Sequence, residues 1–281
     1  MRKIVLSAGL LALLAGFSGG FSGGFSAAAQ TTSNGGTEFC ARASVGGDYK
    51  LAKGLHLNVE EEVRLNNNVS SLQRLQTTVG VDWKVNDYFK TGLSYSLLEN
   101  YKDQKKIFKT RHRARFYVQG GYSFGDFRLS LRETLQLTNR PGSMNTTQAP
   151  RNALALKTRL KLTYKGWKPV EPNVFLEMRT ALNDAAVNAT YNTATLSWSN
   201  YSFGGYGVVH NNRYRAGLGV DWKVAKHHKL EFGALFDYRL DREVDTAWHS
   251  DDDDNSYLVL KSFNIERSFA PILTVGYRYS F

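Results

Sequence analysis

The stretch Leu273-Thr274-Val275-Gly276-Tyr277-Arg278-Tyr279-Ser280-Phe281 places apolar residues at odd positions and small or polar ones between them. A period of two means a strand with one face toward a greasy medium and the other toward a polar one. In a transmembrane barrel the greasy medium is lipid and the polar side is the lumen. An aromatic final residue, Phe281, matches the signal that barrel-assembly machinery reads, so that machinery is an expected partner along with outer-membrane lipid.

The same alternation runs through the chain. Val79, Val81, Trp83 and Val85 oppose Thr78, Gly80, Asp82 and Lys84, and after Asn86-Asp87 the pattern resumes with Phe89, Thr91, Leu93 and Tyr95. That spacing predicts a hairpin. Ala114, Phe116 and Val118 oppose Arg111, Arg113, Arg115, Tyr117 and Gln119, and Gly125-Asp126 turns the chain into Phe127, Leu129 and Leu131. Leu154, Leu156, Leu160 and Leu162 alternate with Lys157, Arg159 and Lys161. A further hairpin joins Tyr214 to Val224 with Leu230 to Tyr238. Between Leu55 and Leu65 only Glu61 violates the apolar face. The five prolines fall in connections or near strand starts, where a missing N–H is tolerated.

Short connections at 52–54, 86–87, 125–126, 165–168 and 225–228 alternate with longer ones at about 66–71, 99–109, 139–152, 183–212 and 242–256. Tight periplasmic turns and longer external loops produce this alternation. Trp83, Phe89, Phe124, Phe127, Tyr164, Trp167 and Trp222 then collect beside the short turns, as an interfacial girdle does. About eleven strands can be counted. Because bacterial single-chain barrels have even numbers, the expectation is an all-β, antiparallel up-and-down transmembrane barrel of twelve strands, or failing that ten, with an added strand before Gly46 or within 183–212. The hexapeptide Gly-Val-Asp-Trp-Lys-Val occurs at 80–85 and again at 219–224, by hairpin duplication or by convergence on a good strand end.

Arg2 and Lys3, an apolar run from Ile4 to Phe17 and the small-residue site Ala27-Ala28-Ala29 match a cleavable export signal. The organisation expected is a signal at 1–29, an N-terminal segment at 30–42 and the barrel at 43–281 in the outer membrane. The repeated Phe-Ser-Gly-Gly before the cleavage site reads as an expansion without function. Cys40 is the sole cysteine, so no internal disulfide can form. Beyond the signal no apolar run approaches the roughly 20 residues of a spanning helix.

The net charge of +11 becomes +9 without Arg2 and Lys3. An exported barrel meets no genome, and the charges are dispersed, so nucleic acid is not an expected partner; the lumen is the home for the excess. Arg111, Arg113 and Arg115 form the densest inward column, Lys157, Arg159 and Lys161 a second, and Arg213 with Arg215 a third. These eight are the candidate anion-facing residues of a channel or pocket for small anionic solutes, since positive rings favour anion entry. The alternative is that the charges pair and plug the barrel as a structural or assembly-associated element, because buried charges must be paired or solvated. A barrel enzyme acting on envelope lipid or polymer is the remaining class. The six histidines are scattered and no Ser-His arrangement stands out, so no catalytic residue is assigned. His249 with Asp251 to Asp254 offers oxygen ligands for a hard cation or simply a solvated acidic loop. No metal, no cofactor and a monomer are expected.

The run Asp48-Tyr49-Lys50-Leu51-Ala52-Lys53-Gly54-Leu55-His56-Leu57-Asn58-Val59-Glu60-Glu61-Glu62-Val63-Arg64-Leu65, the following Arg74, and the hairpin from Gly80 to Tyr95 resemble the exported barrel proteins of domain-of-unknown-function family 2490. The likeness covers most of the chain from Ala43 to Phe281. It implies an outer-membrane barrel and brings no substrate or catalytic residue. The acidic-oligosaccharide porins are a more distant likeness, in size and basic lumen alone.

Overall fold

The computed structural model describes residues 31–141, 150–192, 194–195, 197–250 and 256–281. The expected export signal, the acidic run Asp251 to Asp254 and the side chain of His249 lie outside what it describes.

Alternating residues generate strands almost everywhere. These are β1 (Thr31–Thr37), β2 (Cys40–Ala52), β3 (Leu55–Asn66), β4 (Ser71–Lys84), β5 (Phe89–Lys102), β6 (Ile107–Phe124), β7 (Phe127–Asn139), β8 (Asn152–Tyr164), β9 (Val170–Asn192), β10 (Ser197–Ala225), β11 (His228–Ser250) and β12 (Ser256–Ser280). From β2 to β12 each strand pairs antiparallel with the next. The sheet closes where β12 meets β2 in parallel, from Ile272 opposite Cys40 to Ser280 opposite Asp48. β1 continues along β12 farther up, Thr31 opposite Asn264 and Thr37 opposite Phe269.

β1 and β2 therefore occupy successive stretches of one edge of β12, and the closed barrel has eleven staves. The expected twelve, joined wholly antiparallel, is corrected on both points. With an odd number of staves the first and last strands run the same way, so the closing seam must be parallel. The donation from Phe281 N to Asp48 O (2.9 Å) extends that seam.

The five short turns fall where the sequence places them. Gly54 takes φ +79°, where a Cβ would stand 2.6 Å from the Lys84 carbonyl oxygen, so only glycine fits without movement. The opposite end differs from expectation. The span 183–212 is mostly strand, because β9 continues to Asn192 and β10 begins at Ser197. β9 to β12 have 23, 29, 23 and 25 residues, against 12 to 14 in β3, β4 and β5. One wall thus rises about ten residues, roughly 30 Å of strand, above the rest.

Large apolar side chains point outward and lie open, among them Val79 (44%), Leu93 (60%), Phe116 (49%), Leu176 (60%) and Leu218 (59%). Along the short turns the rings of Tyr122, Phe124, Phe127, Tyr164 and Trp167 form an unbroken chain with centroid separations of 5.1 to 6.5 Å. The buried residues are on the other face and include Ser96, Leu98, Gln136, Glu177, Asp237 and Ile272.

Candidate anion site in the barrel lumen

Strand register sets the lumen chemistry. On β8 to β11, Lys157, Arg179, Arg213 and Arg239 stand directly side by side, and one step nearer the short turns Arg159, Glu177, Arg215 and Asp237 do the same. On β2 to β4, Arg42, Arg64 and Arg74 form another row. Like charges on directly opposed positions repel, so each row needs anions.

Glu177 and Asp237 answer the first group. Arg159 Nε donates to Glu177 Oε2 (2.8 Å) and Arg215 Nη1 to Oε1 (2.9 Å), while Lys157 Nζ lies 3.7 Å from Oε1. Asp237 accepts from Arg213 Nε (2.6 Å) and Nη2, from Arg215 Nε (3.1 Å), and from Arg239 Nε (3.1 Å) and Nη2 (3.0 Å). Arg215 bridges the two carboxylates. The Glu177 and Asp237 side chains are 3% and 0% exposed and that of Arg215 10%. Inward-facing groups in an open, water-filled lumen would be wet; these are covered by the side chains around them.

The remaining arginines are treated differently. Arg74 Nε donates to Asn100 Oδ1 (2.7 Å), Arg113 Nε to Thr138 Oγ1 (3.3 Å), Arg115 Nη2 to Ser96 Oγ (2.6 Å) and Arg179 Nη1 to Asn212 Oδ1 (2.8 Å). All four acceptors are neutral. Arg42 feels the charge of Glu62 without bonding to it, and Glu62 is held instead by Arg64 Nε at 2.5 Å. The Nε of Arg115 is buried and has no acceptor. Arg113 lies within electrostatic reach of Arg64, Arg74, Arg115 and Arg179. Arg213, on a strand of the facing wall, is also among the charges that act on Arg74.

Of the eight candidates read from sequence, Lys157, Arg159, Arg213 and Arg215 sit on Glu177 and Asp237, and Lys161 reaches Asp221 at 3.9 Å. Arg113 and Arg115 bond no carboxylate, although Glu60 and Glu62 lie within electrostatic reach of Arg115; Arg111 lies near Arg140. Sequence reasoning missed Arg42 because the flanking Ala41 and Ala43 give weak alternation. His56, which meets Asp48 (2.7 Å), lines one cavity with His227 and His228, which meet the Ser280 carbonyl (2.6 Å) and the Tyr277 hydroxyl (2.7 Å); His112 meets Tyr95 on the outer face (2.5 Å), and His210 lies 3.6 Å from Asp184.

A cavity of about 400 Å³ opens at the short-turn end, lined among others by His56, Lys84, Lys90, Lys223, Lys226, Lys229 and Arg278. Most of its cations are already matched: Lys90 by Asp82 (2.8 Å), Lys223 by Glu171 (2.6 Å), Lys229 by Glu231, and Arg278 by Glu60 (2.8 Å). The unmatched charge is in the arginine-rich half of the lumen.

Residues 43–247 match the family described as Protein of unknown function (DUF2490). The chain belongs to DUF2490. The matched span of this DUF2490 barrel carries Glu177, Asp237 and every arginine described above as bonding no carboxylate except Arg42, which stands one residue before it. No curated protein matches the sequence.

Proposed function

We propose that this DUF2490 protein is an exported outer-membrane barrel that binds small anionic solutes in the arginine-rich half of its lumen, above a side-chain seal that prevents free conduction at rest. A continuous outer surface of exposed Val, Leu and Phe is more than a soluble monomer ordinarily tolerates, and lipid covers it without a second protein. The ring of aromatics at the short turns suits a membrane interface. Short turns on the periplasmic side put the arginine-rich half toward the cell exterior.

The observation that carries the anion reading is the lack of any bonded carboxylate on Arg42, Arg74, Arg113, Arg115 and Arg179 among the described residues. Glu62 lies within electrostatic reach of Arg42 and Arg74, Glu60 and Glu62 of Arg115, and Asp184 and Asp241 of Arg179, but none bonds them; confined cations with so little counter-charge are costly, and a bound anion lowers that cost. The dry network on Glu177 and Asp237 favours a second reading, a closed structural barrel with no ligand.

Thermal unfolding of the purified chain in zwitterionic detergent, at fixed ionic strength, separates the two. Sodium phosphate is expected to raise the midpoint, since a ligand at 100 times its Kd stabilises by about 2.7 kcal/mol, whereas choline chloride leaves it unchanged. In planar bilayers the resting protein is expected to be nearly silent. A phosphate-independent midpoint, or steady cation-preferring conductance, rejects the proposal.

A further inference from the structure

Resting on that anion-binding reading, we infer that the site takes a polyanion, with two or more phosphate-like groups engaged at once by Arg42, Arg74, Arg113, Arg115 and Arg179. Four of these guanidinium groups are pinned near the walls that carry them. Arg74 is held by Asn100 and Arg113 by Thr138, each its partner in strand register, while Arg115 is held by Ser96 and Arg179 by Asn212. A guanidinium has five donors, and the pins use one apiece, so the other donors remain for a ligand. Among them the buried Nε of Arg115 has no acceptor.

The five arginines arise from β2, β4, β6 and β9, and neighbouring strands are about 4.8 Å apart. Anchored heads spread over four staves cannot all converge on one compact anion. A single phosphate would satisfy the nearest two or three and leave the rest uncompensated. Several linked anionic groups can meet several walls together, and each added group meets a cation already fixed in place. The planar fork of arginine matches phosphate oxygens two at a time. The same chemistry is offered by a free oligophosphate and by the phosphorylated headgroup of a glycolipid. Along their own strands Glu177 stands seven residues from its short turn, Asp237, Arg115 and Arg179 nine, Arg42 and Arg74 ten and Arg113 eleven, so the inferred approach for a ligand is from the long-strand end.

The test is calorimetry on the full mature chain in zwitterionic detergent at constant ionic strength, titrated with inorganic phosphate, pyrophosphate, tripolyphosphate and, in mixed micelles, mono- and bis-phosphorylated glucosamine lipids. Tripolyphosphate is expected to bind at least tenfold more tightly than phosphate. Arg74→Gln and Arg113→Gln should each lose at least tenfold for tripolyphosphate and under threefold for phosphate. Arg113→Lys, which keeps the charge and is a safeguard against misfolding, should recover part of the loss. Preference for the bis-phosphorylated over the monophosphorylated lipid supports the same site with a lipid headgroup as its source. Equal affinity for phosphate and tripolyphosphate overturns the polyanion inference while leaving anion binding intact. No binding of any anion overturns both. A tripolyphosphate preference unchanged in Arg74→Gln and Arg113→Gln shows that the polyanion sits elsewhere and rejects this assignment.

Discussion

Replacing Asp237 with asparagine changes one atom's chemistry at the driest point of the lumen. Oδ1 can still accept from Arg213 and Arg215, now as a neutral amide oxygen, but the Oδ2 position becomes an N–H donor facing Arg213 Nη2 and both donors of Arg239. Three charge-assisted bonds are lost, each of a kind that contributes about 1.5–3 kcal/mol; Arg213 and Arg239 keep their charge without a counter-ion, while Arg215 retains Glu177. Side-chain relaxation and the easier burial of an amide offset part of this. The net cost expected for breaking a buried pair is about 3–5 kcal/mol. Urea unfolding of the purified protein in detergent, followed by the gel shift between folded and unfolded barrel, should show the midpoint falling by about 1–2 M for a slope of about 2–3 kcal/mol/M. Asp87→Asn is the control: its pair with Lys84 (2.6 Å) lies at an open turn and is screened by water, so the midpoint should not move. An Asp237→Asn midpoint equal to wild type would show that water reaches this carboxylate and that the lumen is not sealed by side chains.

Glu177→Gln combined with Asp237→Asn should cost at least about 1 kcal/mol less than the two changes added separately, because both carboxylates hold Arg215; a double-mutant cycle by urea unfolding measures it. Gly54→Ala should destabilise by about 1–3 kcal/mol through its φ of +79° and the 2.6 Å approach to Lys84 O, whereas Gly120→Ala, whose Cβ meets nothing within 4 Å, should stay within about 0.5 kcal/mol. On the outer face, three glutamates each accept from a threonine directly across the strand pair: Glu61 from Thr77 (3.0 Å), Glu99 from Thr110 (3.0 Å) and Glu133 from Thr158 (2.8 Å). In liposomes a hydrophobic carbodiimide should label Glu61 and Glu133 while a water-soluble one spares them, as mass spectrometry can read; labelling by the soluble reagent alone would place that face in water.

Legibility followed the medium each residue faces. The hairpins around Asn86-Asp87, Gly125-Asp126 and 225–228 were readable because Val79, Phe116, Leu129 or Leu218 recurs at every second position. The same alternation gave the inward direction of Arg113, Lys157 and Arg215. It failed from 183 to 212, where Val187, Tyr191, Trp198, Phe203, Tyr206 and Val208 do not keep a spacing of two among the Ala, Asn, Ser and Thr, and β9 and β10 nevertheless continue. The β9–β10 ladder there shifts register repeatedly between Ser199 and Arg213, which breaks any period of two, while polar side chains such as Thr180 with Asn211 and Asp184 with His210 still join the strands. The strand number was misjudged by preferring an even count over the eleven strands visible in the alternation; the parallel seam between β2 and β12 joins residues more than two hundred positions apart and has no local signature. Partner choice was equally hidden. That Arg215 holds Glu177 while Arg113 holds only Thr138 depends on the registers of separate strand pairs.

The division between these two arginine groups bears directly on what the lumen is for. A barrel that needed only a plug could fill it with residues such as Leu98, Leu235 and Ile272, which already bury themselves on the inner face. Well-packed apolar residues generally match or exceed a buried ion pair in stability. Carboxylates are also available to this lumen, since Glu177 and Asp237 between them hold Lys157, Arg159, Arg213, Arg215 and Arg239. Arg74, Arg113 and Arg115 bond only an amide and two hydroxyl groups, enough to orient a guanidinium, while Glu60 and Glu62, which act on Arg74 or Arg115 from a distance, are themselves held by Arg278 and Arg64. Orientation without neutralisation suits a receptor for an anion that comes and goes, whereas full neutralisation suits a permanent wall. On the proposed reading the Glu177 and Asp237 network has the second character and Arg42, Arg74, Arg113, Arg115 and Arg179 the first, so that a seal and a binding site would share one lumen without sharing one set of charges.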